Sequence, residues 1–269
     1  MNVRQCIDAL ERLVPLKLAG DWDNVGLLLE GPNDRPVRRI LLTIDYTDAV
    51  FVEAVEKNID LVIAYHPPIF GGVKRLTRTN ASTRLLLETI EAGLTLWSPH
   101  TALDAMKDGV CDWLGSLVGT AKKSKPIEPA TDAPELGAGR TLTLAEPVPL
   151  KDIHVRLTAA LGLPGLRVAQ PVKEGGNKLI RTVALCPGAG GSLFQAVHPR
   201  DLFLTGEMRH HDVLSRVAQG SAVILTEHSN SERGYLGIFA EKVAESTGVT
   251  VLVSECDKDP LSLFLPDRD

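Results

Sequence analysis

The region from residue 38 to residue 100 alternates apolar segments with helical ones, and this order constrains the fold of the 269-residue chain more than any other feature. Continuous apolar runs, typical of strands buried on both faces of a sheet, lie at 39–44, 61–64 and 94–97. Thr47 is a typical cap for a helix that ends near Lys57, and a second helix is predicted at 82–92. Strands joined by helices run parallel with right-handed crossovers, so the region predicts an open α/β sheet.

The same rhythm resumes near residue 179 and predicts a second α/β lobe. Strands are expected at 179–185, 202–204, 222–225 and 249–253, and helices at 150–161, 211–219 and 231–246. Residues 119–139 contain several Lys, Pro and Ala, a composition that favours a surface connection. We therefore predict two similar α/β lobes, at 1–118 and 141–269, joined by a connecting segment at 119–140.

Composition and charge exclude several classes of protein. The net charge of −5, from 29 basic and 34 acidic side chains, argues against a general nucleic-acid binder. No apolar run approaches the about 20 residues that span a bilayer, and residues 1–14 lack the apolar core of a signal peptide. The four cysteines are far apart, so neither a disulfide framework nor a thiolate zinc site is expected. We expect a cytoplasmic protein with no membrane contact.

Histidines follow three of the predicted strands. His66 and His100 follow the second and third strands of the first sheet, and His228 follows a strand of the second lobe. Asp104 and Glu232 each come four residues after one of these histidines. Open α/β sheets bind ligands at the carboxyl ends of their strands, and imidazole with carboxylate suits zinc, manganese or iron. Two such ions about 3.5–4 Å apart activate water and hold substrate oxygens. The alternative for each histidine alone is an ordinary hydrogen-bonding role.

Three further segments each allow two interpretations. His211, in the pair His210 and His211, either transfers protons in a reaction or, with its neighbour, caps a helix. Residues 21–24 either line a site or form a turn whose side chains bond their own backbone. The glycine-rich residues 188–192 match neither the dinucleotide-binding nor the Walker pattern. They predict a tight turn, with anion contact by backbone N–H groups as the alternative.

Four separated motifs together resemble the NIF3-like proteins, also called the GTP cyclohydrolase 1 type 2 family. The motifs are DWDNVG at 21–26, YHPPIF at 65–70, HTALD at 100–104 and TEHSNSERG at 226–234. The resemblance implies two α/β lobes, a dinuclear metal site between them and a toroidal homohexamer built from trimers. It implies two divalent ions of zinc, manganese, iron or a similar metal. The implied ligands are His66, Asp104, His228 and Glu232, with His100 adjacent to them.

Tyr65 departs from the family pattern. Many members have two consecutive histidines before the proline, whereas this chain has Tyr65 and His66. A tyrosine hydroxyl titrates near 10, so it is a poor ligand at neutral pH. One of the two metal positions is therefore expected to be weaker, or to be filled by His100 or water. The Tyr-His-Pro-Pro form is closer to the branch that includes eukaryotic NIF3 homologues, which favours a role other than simple GTP cyclohydrolysis.

The resemblance leaves three functions open. The first is metal-dependent hydrolysis of a purine nucleotide such as GTP, in which water opens the guanine ring at C8 and formate leaves. The second is a metal-binding regulatory or interaction protein, linked to transcription, without cyclohydrolase activity. The third is hydrolysis of another phosphoester, a reaction that two-metal sites support readily.

Overall fold

The computed structural model describes residues 1–32, 35–171 and 178–262, and it confirms the predicted α/β architecture. The helices are α1 (Val3–Leu13), α2 (Asp48–Glu56), α3 (Ala81–Glu91), α4 (His100–Ala105), α5 (Val110–Val118), α6 (Leu150–Leu161), α7 (His210–Ala218), α8 (Asn230–Arg233) and α9 (Leu236–Thr247). The strands are β1 (Gly26–Leu29), β2 (Arg39–Thr43), β3 (Leu61–Ala64), β4 (Thr95–Ser98), β5 (Ala121–Lys125), β6 (Glu128–Ala130), β7 (Ala133–Ala138), β8 (Arg140–Pro149), β9 (Arg167–Ala169), β10 (Leu179–Cys186), β11 (Leu202–Thr205), β12 (Ala222–Leu225) and β13 (Thr250–Val253). No helix of the described residues is long and apolar enough to cross a bilayer.

The first sheet has the strand order β1-β4-β3-β2-β13. Strands β4, β3, β2 and β13 are parallel, and β1 pairs antiparallel with β4 at the edge. Along β2, Ile40 and Leu42 belong to the apolar cluster on one face and Leu41 to that on the other, all fully buried. The continuous apolar run in the sequence therefore has its physical cause in burial on both faces.

The second sheet has the strand order β5-β8-β10-β11-β12-β9. Its centre, β10-β11-β12, is parallel, and β8 and β9 pair antiparallel on either side. The carboxyl ends of these parallel strands lie at one edge of the sheet, as they do in the first sheet. In each sheet, the carboxyl ends of the parallel strands and the polar residues that follow them therefore lie along one edge of that sheet.

The connecting segment differs from the expected surface connection, because it forms three strands. Strand β5 is exposed along its whole length and lies at the edge of the second sheet, while β6 and β7 form a hairpin. A strand of Lys, Ser and Ala at a sheet edge lacks the apolar alternation that marks a half-buried strand. The single helix expected at 231–246 is also divided, into α8 and α9.

Strand β13 belongs to the first sheet. Strand β13, which lies within the lobe predicted at 141–269, pairs in parallel with β2, and α9 contacts α1. The lobes thus follow the sheets and not the order of the chain. The sequence of a four-residue apolar strand does not show which sheet it joins. The predicted lobes followed chain order and therefore placed β13 in the second lobe.

Arg140 fixes the β6–β7 hairpin next to the first lobe. Its side chain is 3 % exposed and forms an ion pair with Asp112 at 2.6 Å. The guanidinium also donates to the carbonyl oxygens of Gly137, Gly139, Ala105 and Met106. Because these carbonyls lie at or just after the ends of α4 and β7, one buried cation holds the hairpin against the helix that carries His100.

Candidate metal centre

Three histidines from the two sheets meet in the cleft between the lobes. His66 follows β3 and His100 begins α4 directly after β4, whereas His228 follows β12 of the second sheet. The ring centroid of His66 lies 5.5 Å from that of His100 and 5.2 Å from that of His228. The carboxyl edges of the two sheets therefore face each other, and the predicted histidines are the side chains that meet.

His66, His228 and Glu232 form a group of side chains that could hold a metal ion, and we call these three residues the metal-binding cluster. One ligand atom of each lies within 4.8 Å of the others, and no other such group of His, Cys, Asp or Glu occurs in the described part of the chain. The Nε2 atom of His66 is 3.3 Å from Oε2 of Glu232, and Nε2 of His228 is 3.6 Å from Oε1. Nε2 of His66 and Oε2 of Glu232 are buried without a hydrogen-bond partner. Buried polar atoms without partners are costly, and an ion between them would satisfy both.

Each histidine is held by a carboxylate at Nδ1. His66 donates to Asp45 at 2.9 Å, His228 donates to Glu207 at 2.9 Å, and His100 donates to Asp23 at 2.7 Å. A carboxylate at Nδ1 fixes the tautomer and the ring orientation and directs Nε2 to the ligand position. This pairing is the usual second layer of a histidine metal site. The arrangement of the donors therefore fits a divalent transition-metal ion.

The field at the cluster favours positive charge. Burial lowers the pKa of His66, but the hydrogen bond to Asp45 and the nearby Glu232 carboxylate raise it, to about 10. Burial raises the pKa of Asp45, whereas the hydrogen bond from His66 holds it below its usual value. The same carboxylates that stabilise an imidazolium here would stabilise a metal cation, which would displace the proton from His66.

Gly188 leaves the space that an ion needs. It lies in the turn after β10 with a φ of +59°, and its N–H donates to Oγ of Ser231 at 2.7 Å. A Cβ atom on Gly188 would lie 2.7 Å from Oε1 of Glu232 and 2.9 Å from Nε2 of His228. A side chain would therefore fill the space beside the two ligand atoms. The predicted tight turn is present, and its glycine borders the metal-binding cluster.

Asp104 and His100 lie next to the cluster but outside it. Asp104 is on α4, one turn after His100, and its Oδ1 accepts from the hydroxyl of Tyr65 at 2.5 Å. Burial raises the pKa of Asp104 to about 8, although the Tyr65 hydrogen bond acts in the opposite direction. Tyr65 is fully buried, and burial raises the pKa of its hydroxyl well above 10. Tyr65 is thus a hydrogen-bond donor to Asp104.

Residues 21–24 both turn and contribute to the site. The backbone N–H of Asn24 donates to Asp23, as the turn interpretation expects. Asp23 also accepts from His100 and from the Thr101 hydroxyl, and these bonds lower its pKa although burial alone would raise it. Trp22 is 66 % exposed, with its ring centroid 6.0 Å from that of Phe70 and 6.1 Å from that of His100. An exposed aromatic pair therefore stands beside the histidines.

Two cavities adjoin the cluster, and His100 and His228 line both. The first, of about 500 Å³, also contains His66, Phe70 and four carboxylates, Asp45, Glu207, Glu227 and Asp259. The second, of about 910 Å³, lies among the residues 17–22, the β6–β7 hairpin and the turn at 186–193. It also contains Tyr65, Asp104 and Glu232. A ligand can thus approach the cluster from two sides.

His211 is not brought to the cluster. It lies in the first turn of α7, is exposed, and lines neither cavity. Asp45 and Glu207, which hydrogen-bond to His66 and His228, were not among the predicted site residues. Asp45 follows β2 and Glu207 follows β11, so both obey the pattern of a polar residue directly after a buried parallel strand. That signal was available for both residues.

The fold and the cluster define an α/β protein with two sheets and, between them, a histidine–carboxylate group that could hold a metal ion. The Duf34/NIF3 (NGG1p interacting factor 3) family profile matches residues 1–260, and the chain belongs to this family. The expected family membership is confirmed.

Several named relatives share nearly the whole chain. "NIF3-like protein 1" of Drosophila melanogaster is 38% identical over 97% of this chain and 89% of its own length. "Protein NIF3 homolog" of Schizosaccharomyces pombe is 40% identical over 94% of this chain and 95% of its own. "NGG1-interacting factor 3" of Saccharomyces cerevisiae is 34% identical over 96% and 95%. The crystal structure of a Bacillus cereus protein related to NIF3 superposes with a TM-score of 0.86 at 18% identity, over 98% of this chain and 99% of that one.

Proposed function

We propose that the protein is a metal-dependent hydrolase that acts on a purine nucleotide such as GTP. The observation that carries the proposal is the cluster of His66, His228 and Glu232, with two buried ligand atoms that lack a partner. The cluster would hold one divalent ion, and Asp104 and His100 are the predicted ligands that would serve a second. An ion bound there supplies Lewis-acid activation of water and of substrate oxygens.

The residues around the ion orient the reactants. Asp45 and Glu207 keep the rings of His66 and His228 in the ligating orientation. His100, held by Asp23, keeps its other ring nitrogen available to a ligand or a water molecule in either cavity. His100 is therefore better placed than His211 to move a proton during hydrolysis.

Substrate charge makes the ion essential for binding as well as for chemistry. The first cavity is lined by four carboxylates and, among the described residues, by no Lys or Arg. A triphosphate in this cavity would be repelled unless divalent ions reverse the local charge. Trp22 and Phe70, both exposed beside His100, present aromatic surface to a purine ring.

The test uses protein stripped with a chelator and reloaded with Zn²⁺ or Mn²⁺. We expect the reloaded protein to release formate from GTP, and the stripped protein and Glu232→Ala to release none. His198→Ala, which removes an exposed histidine away from the cavities, should retain the full rate. A metal-loaded wild-type protein that releases no formate, and that hydrolyses no member of a nucleotide and phosphodiester panel, would contradict the proposal.

A second candidate function is regulation through a protein partner. The yeast relative is named for its interaction with NGG1, and it is 34% identical to this chain. In this case the ions would stabilise the chain or a homohexamer of it and not serve a reaction. Glu232→Ala separates the possibilities, because loss of metal with unchanged partner binding and hexamer mass would argue against a regulator that depends on its metal.

A further inference from the structure

The residues that follow β13 leave the first sheet and cross to the metal-binding cluster. We call residues 254–261 the C-terminal strap. Its first residues are anchored on α2, where the buried Glu53 accepts from the Ser254 hydroxyl at 2.5 Å and from the Glu255 N–H at 3.0 Å. The strap therefore leaves the sheet from a fixed point, and its later residues reach the cluster.

Asp257 joins the strap to both sides of the cluster. Its side chain is 2 % exposed, and Oδ2 accepts from the backbone N–H of Ile44 at 2.6 Å and pairs with Arg233 at 2.5 Å. Ile44 precedes Asp45, the carboxylate that holds His66. Arg233 follows the ligand Glu232. One buried carboxylate thus bonds the neighbours of two residues that build the site, one from each lobe.

Asp259 makes the corresponding contact next to His228. Its Oδ2 accepts from the hydroxyl of Ser229 at 3.0 Å, and Ser229 is 3 % exposed. Asp259, Pro260 and Leu261 then line the first cavity together with His66 and His228. A molecule bound to an ion in that cavity would therefore touch the strap as well as the histidines.

We propose that the strap is a positioning element of the metal centre, with Asp257 and Asp259 as its positioning residues. Ligands hold an ion only when their distances are correct within about 0.2 Å. The loop with His228 and Glu232 lies in a different lobe from His66, so its position must be fixed across the cleft. Asp257 and Asp259 fix it at Arg233 and Ser229. The inference depends on the proposed metal centre but not on the proposed reaction.

The experiment measures the affinity of the folded protein for Zn²⁺ alone, by competition with a chromophoric chelator. Loss of an outer partner of a metal ligand usually weakens binding about 10- to 100-fold. We expect weakening at the lower end of this range, about 10-fold, for Asp257→Asn and for Asp259→Ala, because they bond neighbours of the ligands and not the ligands themselves. Ser229→Ala removes the donor of the same hydrogen bond whose acceptor Asp259→Ala removes. The double variant should therefore have the same Zn²⁺ affinity as each single variant. The visible absorption spectrum of the Co²⁺-loaded variants should also differ from that of the Co²⁺-loaded wild type, because the ligands around the ion are displaced.

Glu255→Gln is the matched control, because Glu255 lies in the same strap with its side chain 82 % exposed. Its Zn²⁺ affinity should equal that of the wild type. If Asp257→Asn does not fold, Asp259→Ala and Ser229→Ala still test the proposal. Folded variants with unchanged Zn²⁺ affinity and Co²⁺ spectrum would overturn it, even if their thermal stability fell. A wild-type protein that binds no ion would overturn both this proposal and the metal centre, whereas absent hydrolysis would overturn only the proposed reaction.

Discussion

The two sides of the site differ in what their carboxylates already bind. On the cluster side, Glu232 Oε2 and His66 Nε2 are buried with no hydrogen-bond partner. On the other side, Asp104 already accepts a short hydrogen bond from Tyr65. Unsatisfied ligand atoms gain the full benefit of an ion, whereas a satisfied carboxylate must first exchange a good partner. The comparison predicts that an ion would bind tightly on the cluster side and weakly on the Asp104 side.

The largest expected effect comes from filling the space on the cluster side. Gly188→Ala should abolish Zn²⁺ binding, because its Cβ would lie 2.7 Å from Oε1 of Glu232 and 2.9 Å from Nε2 of His228. Gly162→Ala controls for backbone strain, since Gly162 has a φ of +64° but open space around it. Isothermal titration of both variants with Zn²⁺ provides the comparison. Retained stoichiometric binding by Gly188→Ala would show that the ion lies elsewhere.

The next effect concerns the Asp104 side. Tyr65→His should raise the Zn²⁺ content from one tightly bound ion per chain to two, because it frees Asp104 and adds an imidazole. Tyr65→Phe frees Asp104 without adding a ligand and should strengthen the second ion less. Elemental analysis after gel filtration measures the content. Tyr46→Phe is the control, because it removes a buried tyrosine hydroxyl that hydrogen-bonds to Thr89 away from both cavities. Its Zn²⁺ content should stay at one ion per chain. Two tightly bound ions in the wild type would contradict the expected difference in affinity between the two sides.

Glu53 differs from Asp104 in the direction of its pKa shift, because several hydrogen-bond donors surround its carboxylate. Burial raises its pKa, but hydrogen bonds from Glu255, Lys57 and Ser254 outweigh burial and lower the pKa from 4.5 to about 2. Ionised Glu53 therefore stabilises the fold above pH 4.5 by at most about 3 kcal/mol, and this contribution is lost as the pH falls toward 2.

Urea unfolding of wild type and Glu53→Gln measures this effect. The difference in free energy of unfolding should be largest near pH 6 and should shrink steadily between pH 4.5 and pH 2. Glu56→Gln, which changes an exposed carboxylate on the same helix, should show no such trend. A difference that does not depend on pH would mean that ionisation of Glu53 does not stabilise the fold.

The smallest effects come from the carboxylates behind the histidines. Asp45→Asn and Glu207→Gln should lower the affinity for the tightly bound Zn²⁺ ion about 10- to 100-fold, because each removes the hydrogen bond that orients one ligating imidazole. Asp23→Asn should leave that ion unchanged, because it holds His100 outside the cluster. Zn²⁺ competition titrations measure all three. Equal weakening by the three variants would mean that the two sides of the site are not distinct.

The ends of parallel strands made much of the site predictable. His66 and His100 follow the neighbouring parallel strands β3 and β4, so their proximity follows from the strand order, whereas His228 follows a strand of the other sheet. The donor to Asp104 was not predictable, because the bond joins Tyr65 and Asp104 on different elements. Gly188 gave only the signal of a turn, since its importance lies in an absent Cβ. The contacts of the strap also depend on which sheet β13 joins, which its sequence does not specify.

The return of the chain to its first sheet also sets the order in which the molecule can be completed. The bond from the N–H of Ile44 to Asp257 spans 213 residues, and β13 pairs with β2 over a similar separation. During synthesis from the N-terminus, the first sheet must therefore expose one edge of β2 until residues 250–253 have emerged. An open strand edge is a site for wrong pairing, so the nascent protein is most vulnerable to aggregation until β13 arrives.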